Sequence, residues 1–162
     1  MELLERMPIF SDIRPDTLEC LLEEVRVRRV PTGDFFFRQG DQATFMYVLE
    51  TGQVTVRKQW QGRELVLGSL TEGECFGEMA LIDMTPRSAS VRAERVCSAI
   101  EISSSDLYGV YEYDPNQFAI IQVNICRELC RRLRLTDQHL MQASASKGLA
   151  QDRLALAELL PM

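Results

Sequence analysis

The sequence predicts a mainly β fold: an antiparallel jelly-roll β-barrel with flanking N-terminal helices and one long C-terminal helix. Between Val25 and Ile102, runs rich in β-branched and aromatic residues are cut by turn signals. These fall at Pro31-Thr32-Gly33-Asp34, Gln39-Gly40-Asp41, Thr51-Gly52, Gln61-Gly62 and Thr71-Glu72-Gly73. Signals at about ten-residue spacing are what a set of short antiparallel strands requires. Val54 and Val56 alternate with polar Gln53, Thr55 and Arg57, so one face of that strand is buried and the other wet. From about Asn116 to at least Met141, residues Phe118, Ile121, Ile125, Leu129, Leu133 and Leu140 recur at helical spacing and form an apolar stripe.

The other elements follow in chain order. Residues 1 to 24 are helical in pattern, with Asp16 or Thr17 starting the segment that carries Leu18, Leu21 and Leu22. Leu65 and Leu67 enclose apolar Val66, so their strand alternates less cleanly. After Ser103-Ser104-Ser105, residues Asp106 to Tyr113 read as a short helix, and Asp114-Pro115-Asn116 separates it from the long one. One domain therefore spans residues 1-142. The remainder, 143-162, reads as a flexible break at Ala143-Ser144-Ala145-Ser146-Lys147-Gly148 and a short amphipathic helix from Leu149 to Leu160. About twenty residues after Met141 cannot make a DNA-binding domain.

Composition narrows the function. A chain of 162 residues that is 46% hydrophobic can bury a real core but has no room for two ordinary domains. A net charge of −6 argues against a nucleic-acid partner, whose affinity depends on clustered Lys and Arg. No apolar run approaches the roughly 18 residues of a membrane span, and Met1-Glu2-Leu3-Leu4-Glu5-Arg6 lacks the charges of a signal peptide, so no membrane partner and a cytosolic location are expected. The cysteines, Cys20, Cys75, Cys97, Cys126 and Cys130, read as free thiols. Cys126 and Cys130 share a helix face, but two thiolates without a nearby His make a poor metal site, and they read as packing residues. The single histidine, His139, leaves a metal cupin or a Ser or Cys hydrolase without its ligands or base. No enzyme activity, catalytic residue, metal or catalytic cofactor is expected.

One stretch does carry chemistry. Phe76-Gly77-Glu78-Met79-Ala80-Leu81 is followed by Pro86-Arg87-Ser88-Ala89-Ser90-Val91. Gly77 lets the backbone come close to a ligand, and the next residues can form a helical turn whose free NH groups point at an anion. Arg87 offers a planar fork suited to a phosphate, Ser88 adds a hydroxyl, and Glu78 accepts hydrogen bonds. A sugar phosphate fits this set. A bare ion pair between Glu78 and Arg87 in a surface loop would require neither Gly77 nor the small Ser88-Ala89. Arg87 is expected to serve the ligand alone, so that its removal changes the empty chain's stability little.

These residues resemble the phosphate-binding cassette of the cyclic-nucleotide-binding domains. Gly40-Asp41-Gln42-Ala43, Met46-Tyr47-Val48-Leu49 and Thr51-Gly52-Gln53-Val54 look like the early strands of the same family, and the resemblance covers roughly residues 1 to 140. It implies ligand contacts within Phe76, Gly77, Glu78, Met79, Ala80, Arg87, Ser88 and Ala89. Gly77 and Glu78 would meet the ribose 2′-hydroxyl, and Arg87, Ser88 and the NH of Ala80 the cyclic phosphate. On the base side it implies Val56, Leu67, Arg132, Thr136 and Asp137, with Arg132 near Glu78. The implied function is a cyclic-nucleotide sensor or regulatory module, with cyclic AMP favoured over cyclic GMP. It would act on an unidentified effector protein and could form a homodimer through the long helix. The alternative is a ligand-independent dimeric interaction protein of the same fold.

Overall fold

In the computed structural model, which describes residues 2–146, the chain divides into two units, Met1–Ile125 and Cys126–Met162. The first holds every strand among the described residues. Sheet one is built from β1 (Arg26–Val30), β3 (Phe45–Thr51), β6 (Cys75–Phe76) and β8 (Cys97–Ser103), in the order β1-β8-β3-β6. Sheet two takes β2 (Phe35–Phe37), β4 (Gln53–Trp60), β5 (Arg63–Thr71) and β7 (Ser90–Ala93), in the order β2-β7-β4-β5. All neighbouring strands are antiparallel. This is the jelly-roll architecture that the turn spacing predicted, realised as two facing sheets.

The core explains the alternation along the strands. Every strand contributes to one buried cluster, including Val30, Phe36, Leu49, Val54, Leu70, Phe76, Val91 and Ala99. Val54 is fully buried, and Val56 packs partly buried against the same cluster. β5 breaks the pattern, because it is an edge strand and seven of its first residues stay exposed. Its pairing slips at one point: Val56 faces Gly68 while Arg57 faces Val66, which leaves Leu67 as an extra, bulged residue. The hairpin joining β4 to β5 turns at Gln61 and Gly62, both with positive φ (49° and 76°), the signature of a two-residue type I′ turn.

Helices precede and follow the strands in the chain. Pro15 opens α2 (Pro15–Glu24), where its missing NH is not needed, and Leu18 and Leu21 are buried. The short α1 (Glu2–Glu5) precedes it, and α3 (Met79–Ile82) is a single turn after β6. α4 (Ser104–Tyr113) begins two residues before the expected Asp106. Ser103 caps it: its Oγ accepts from the Asp106 NH while the Asp106 carboxylate accepts from the Ser103 NH. α5 (Pro115–Ser146) starts beside the N-terminal segment, where the Asn124 amide donates to the carbonyls of Ile9 and Ser11 at 3.1 and 2.8 Å.

The second unit consists, among the described residues, of the continuation of α5. Glu128 there pairs with Arg131 at 2.6 Å and Arg132 at 3.0 Å, and the Arg131 hydrogen bond holds its carboxyl below the usual glutamate range. The break expected from Ala143 is not found over its first four residues. The helix continues through Ser146, since Ala is the best helix former and isolated Ser costs little. The expected short helix from Leu149 to Leu160 lies outside the described residues.

Candidate functional site

The strand-to-helix turn after β6 builds the site. Phe76 ends β6 and faces inward, stacked on Tyr47 with ring centroids 5.3 Å apart, so its ring belongs to the core. Gly77 follows with φ of +77°, a conformation that L side chains rarely adopt. A Cβ there would lie 2.6 Å from Arg87 Nη1 and 3.1 Å from Phe37 Cε1. Glycine at this position is thus required by backbone and space together. Glu78 and Ala80 are buried, whereas Met79 is exposed.

Arg87 enters from the other side. Its NH donates to the Asp41 carbonyl at 2.9 Å, and its own carbonyl accepts from the Gly40 NH at 2.8 Å. The Gly40-Asp41 motif and the Arg87 motif, separate in sequence, are therefore zipped together. The Arg87 side chain is only 4% exposed. Nη1 donates to the Gly77 carbonyl at 2.8 Å, Nη2 donates to the Phe45 carbonyl, and the guanidinium carbon sits 3.9 Å from the Phe37 ring centroid. Nε is buried and has no hydrogen-bond partner among the described residues. Burial pulls the Arg87 pKa down, and Tyr47, Asp41 and Glu78 counter it.

A buried guanidinium with an unengaged NH, beside a buried carboxylate and a glycine turn, has the chemistry to hold an anion that also offers a hydroxyl. The geometry corrects one expectation. Arg87 also holds the empty fold together, because it ties Gly77 to Phe45 and stacks on Phe37; it is not a bystander until ligand arrives. Phe37 and the Phe45 carbonyl were missed from sequence. A backbone acceptor has no residue signature, but the Phe35-Phe36-Phe37 run was a visible aromatic signal.

Of the other expected contacts, Ser88 is exposed beside Arg87 and Ala89 is buried. Val56 is partly buried, and Leu67 is the 54% exposed bulge residue of β5. Arg132, Thr136 and Asp137 lie on α5 in the second unit, where Arg132 pairs with Glu128 and the Thr136 hydroxyl donates to the Arg132 carbonyl at 3.0 Å. Cys126 and Cys130 are both exposed and are not packing residues in the single chain. No helix among the described residues is long and apolar enough to cross a membrane.

This cassette on a two-sheet jelly roll defines a class of ligand-binding regulatory domain. The chain belongs to the cyclic nucleotide-binding domain family, whose model matches residues 27–114. It is 30% identical over 155 residues to the cyclic AMP receptor protein of Thermus thermophilus, covering 93% of this chain and 67% of that protein. It is also 33% identical over 91 residues to a cAMP-dependent protein kinase regulatory subunit of Emericella nidulans, covering 56% of this chain and 22% of that one. Among solved structures, Thermus thermophilus catabolite activator protein superposes with a TM-score of 0.72 at 30% identity, over 85% of this chain. This chain spans 63% of that protein's length. A cAMP-activated global transcriptional regulator of Salmonella typhimurium is 29% identical over 147 residues, 88% of this chain and 68% of that regulator. The expected absence of a nucleic-acid partner thus finds no support among the relatives.

Proposed function

We propose that the chain is a regulatory module that binds a cyclic nucleotide, with cyclic AMP preferred, and carries out no catalysis itself. The observation that supports this most is the buried Arg87, held against Gly77 and Phe37 with its Nε unengaged, next to buried Glu78. The Arg87 fork and the Ser88 hydroxyl take the cyclic phosphate, joined by the Ala80 NH. Glu78 and Gly77 take the ribose 2′-hydroxyl. Burial of Arg87 and Glu78 strengthens their contacts with such a ligand relative to bulk water. Cyclic AMP is preferred because relatives named for it match most of the chain.

A second reading, a ligand-independent interaction protein, is favoured by the hydrogen bonds that Arg87 already makes to Gly77 and Phe45. Calorimetric titration of the purified chain with cyclic AMP and cyclic GMP separates the two. Saturable binding of one nucleotide per chain, tighter for cyclic AMP, is expected. No binding of either nucleotide at millimolar concentration would leave only the second reading.

A further inference from the structure

The long helix carries a row of exposed residues distinct from its buried Ile121 and Ile125. Val123, Cys126, Cys130, Leu133, Asp137 and Leu140 are all exposed and alternate in steps of three and four. That is a heptad row, with Val123, Cys130 and Asp137 at a and Cys126, Leu133 and Leu140 at d. A second copy of this chain is the occupant that such a row fits. In a parallel pair each a and d residue meets its own counterpart, so the row is complementary to itself. Flanking charges permit this. Parallel pairing sets Gln122 against Arg127, Leu129 against Arg134 and Thr136 against Met141, and none of these contacts joins like charges. Asp137 at an a position faces its own counterpart, and the two carboxylates weaken the seam at that one layer.

Two consecutive layers of the row are thiols. We propose that Cys126 and Cys130 form a redox modification site, each closing a disulfide with the same cysteine of a second copy and locking the paired long helices covalently. This rests on pairing of the long helix and is independent of the nucleotide reading. Within one helix, Cβ atoms four residues apart are about 5–6 Å from each other, beyond the roughly 3.5–4.5 Å that a disulfide needs, so the two thiols do not close on themselves. Across a parallel pair, helix axes about 9–10 Å apart and a Cα radius of about 2.3 Å place facing Cα atoms about 4.4–5.4 Å apart, within the roughly 4.4–6.8 Å of a disulfide. Cys75 and Cys97 are buried and do not compete.

The chemistry is exchange with a low-molecular-weight disulfide. The Cys126 thiolate of one copy attacks a sulfur of that disulfide and expels one small thiolate, leaving a mixed disulfide. The Cys126 thiolate of the second copy then attacks the protein-bound sulfur, forms the interchain bond and expels the second small thiolate. Two protein thiols are oxidised and one small disulfide is reduced to two thiols, which take up the two protons. Cys130 follows the same course.

The test incubates the full chain with oxidised glutathione and reads non-reducing electrophoresis and mass spectrometry, with sedimentation in reductant alongside. A covalent dimer reversed by dithiothreitol is expected. Cys126→Ser and Cys130→Ser should each retain it, the double variant should lose it entirely, and Leu133→Asp should reduce it at least tenfold. Covalent dimer persisting in the double variant, or glutathione adducts without interchain bonds, would overturn the proposal. A dimer in reductant that never cross-links would also overturn it, while leaving helix pairing intact. A chain that stays monomeric yet binds cyclic AMP would overturn it and leave the nucleotide reading standing.

Discussion

Replacing Gly77 by Ala isolates the contact on which the site depends, provided it is compared with the same change at Gly62. The two glycines have nearly the same φ, +77° and +76°, but a Cβ at Gly62 meets nothing within 4 Å, whereas one at Gly77 meets Arg87 Nη1 at 2.6 Å and Phe37 Cε1 at 3.1 Å. Forcing Ala into the left-handed region costs about 1–2 kcal/mol, and Gly62→Ala should lose that amount and nothing in nucleotide affinity. Gly77→Ala carries the same backbone cost. It must in addition push the guanidinium off Phe37 and away from the Gly77 carbonyl, and a hydrogen bond to a charged group is worth about 1.5–3 kcal/mol. A total loss of about 3–5 kcal/mol of stability is therefore expected for Gly77→Ala, with at least tenfold weaker cyclic AMP binding. Urea unfolding and calorimetric titration read the two quantities. Equal stability losses in the two variants, with full affinity in both, would show that Arg87 does not depend on the Gly77 turn.

Glu78→Gln should weaken cyclic AMP binding by about 1–2 kcal/mol and leave its 2′-deoxy analogue almost unaffected, in a calorimetric comparison of the two ligands; equal losses would remove Glu78 from the ribose. Asn124→Ala strands the carbonyls of Ile9 and Ser11 and should lower unfolding free energy by about 2–3 kcal/mol in urea titrations. Tyr47 gives a pH dependence. Burial pushes its hydroxyl above the usual value of about 10, so the stability tied to its neutral form is full below pH 10 and falls as pH rises beyond it. Tyr47→Phe loses the hydrogen bond from Arg28, about 1 kcal/mol near neutrality, and should flatten the stability curve above pH 10 in thermal melts.

Much of the fold was legible because its punctuation is local. Each of the five turn signals falls between consecutive strands or at a strand's last residue, since Gly and Pro dictate backbone shape wherever they sit. The alternation of Val54 and Val56 was legible for the same reason, as period two belongs to the strand alone. β5 was not, because its exposure comes from its place at a sheet edge and from the bulge at Leu67, both set by pairing with other strands. The long helix shows the limit most clearly. Its buried and exposed rows are interleaved, so Leu133 and Leu140 joined the Ile121–Ile125 stripe in sequence, while Cys126 and Cys130 were assigned to packing. Gly77, Glu78 and Arg87 could be singled out as residues, but the second role of Arg87 could not. Its partners are carbonyls brought close by chain segments far apart in sequence.

The affinity of Arg87→Ala for cyclic AMP, set beside that of the parent by calorimetry, tests the phosphate assignment most directly. The variant should be less stable than the parent, because two backbone carbonyls lose their donor and Phe37 loses its cation, so titration belongs at a temperature where circular dichroism shows both chains folded. Loss of a bidentate, partly desolvated phosphate contact of roughly 2–4 kcal/mol predicts affinity about 30-fold to 1000-fold weaker. A folded Arg87→Ala chain that binds cyclic AMP as the parent does would contradict the account.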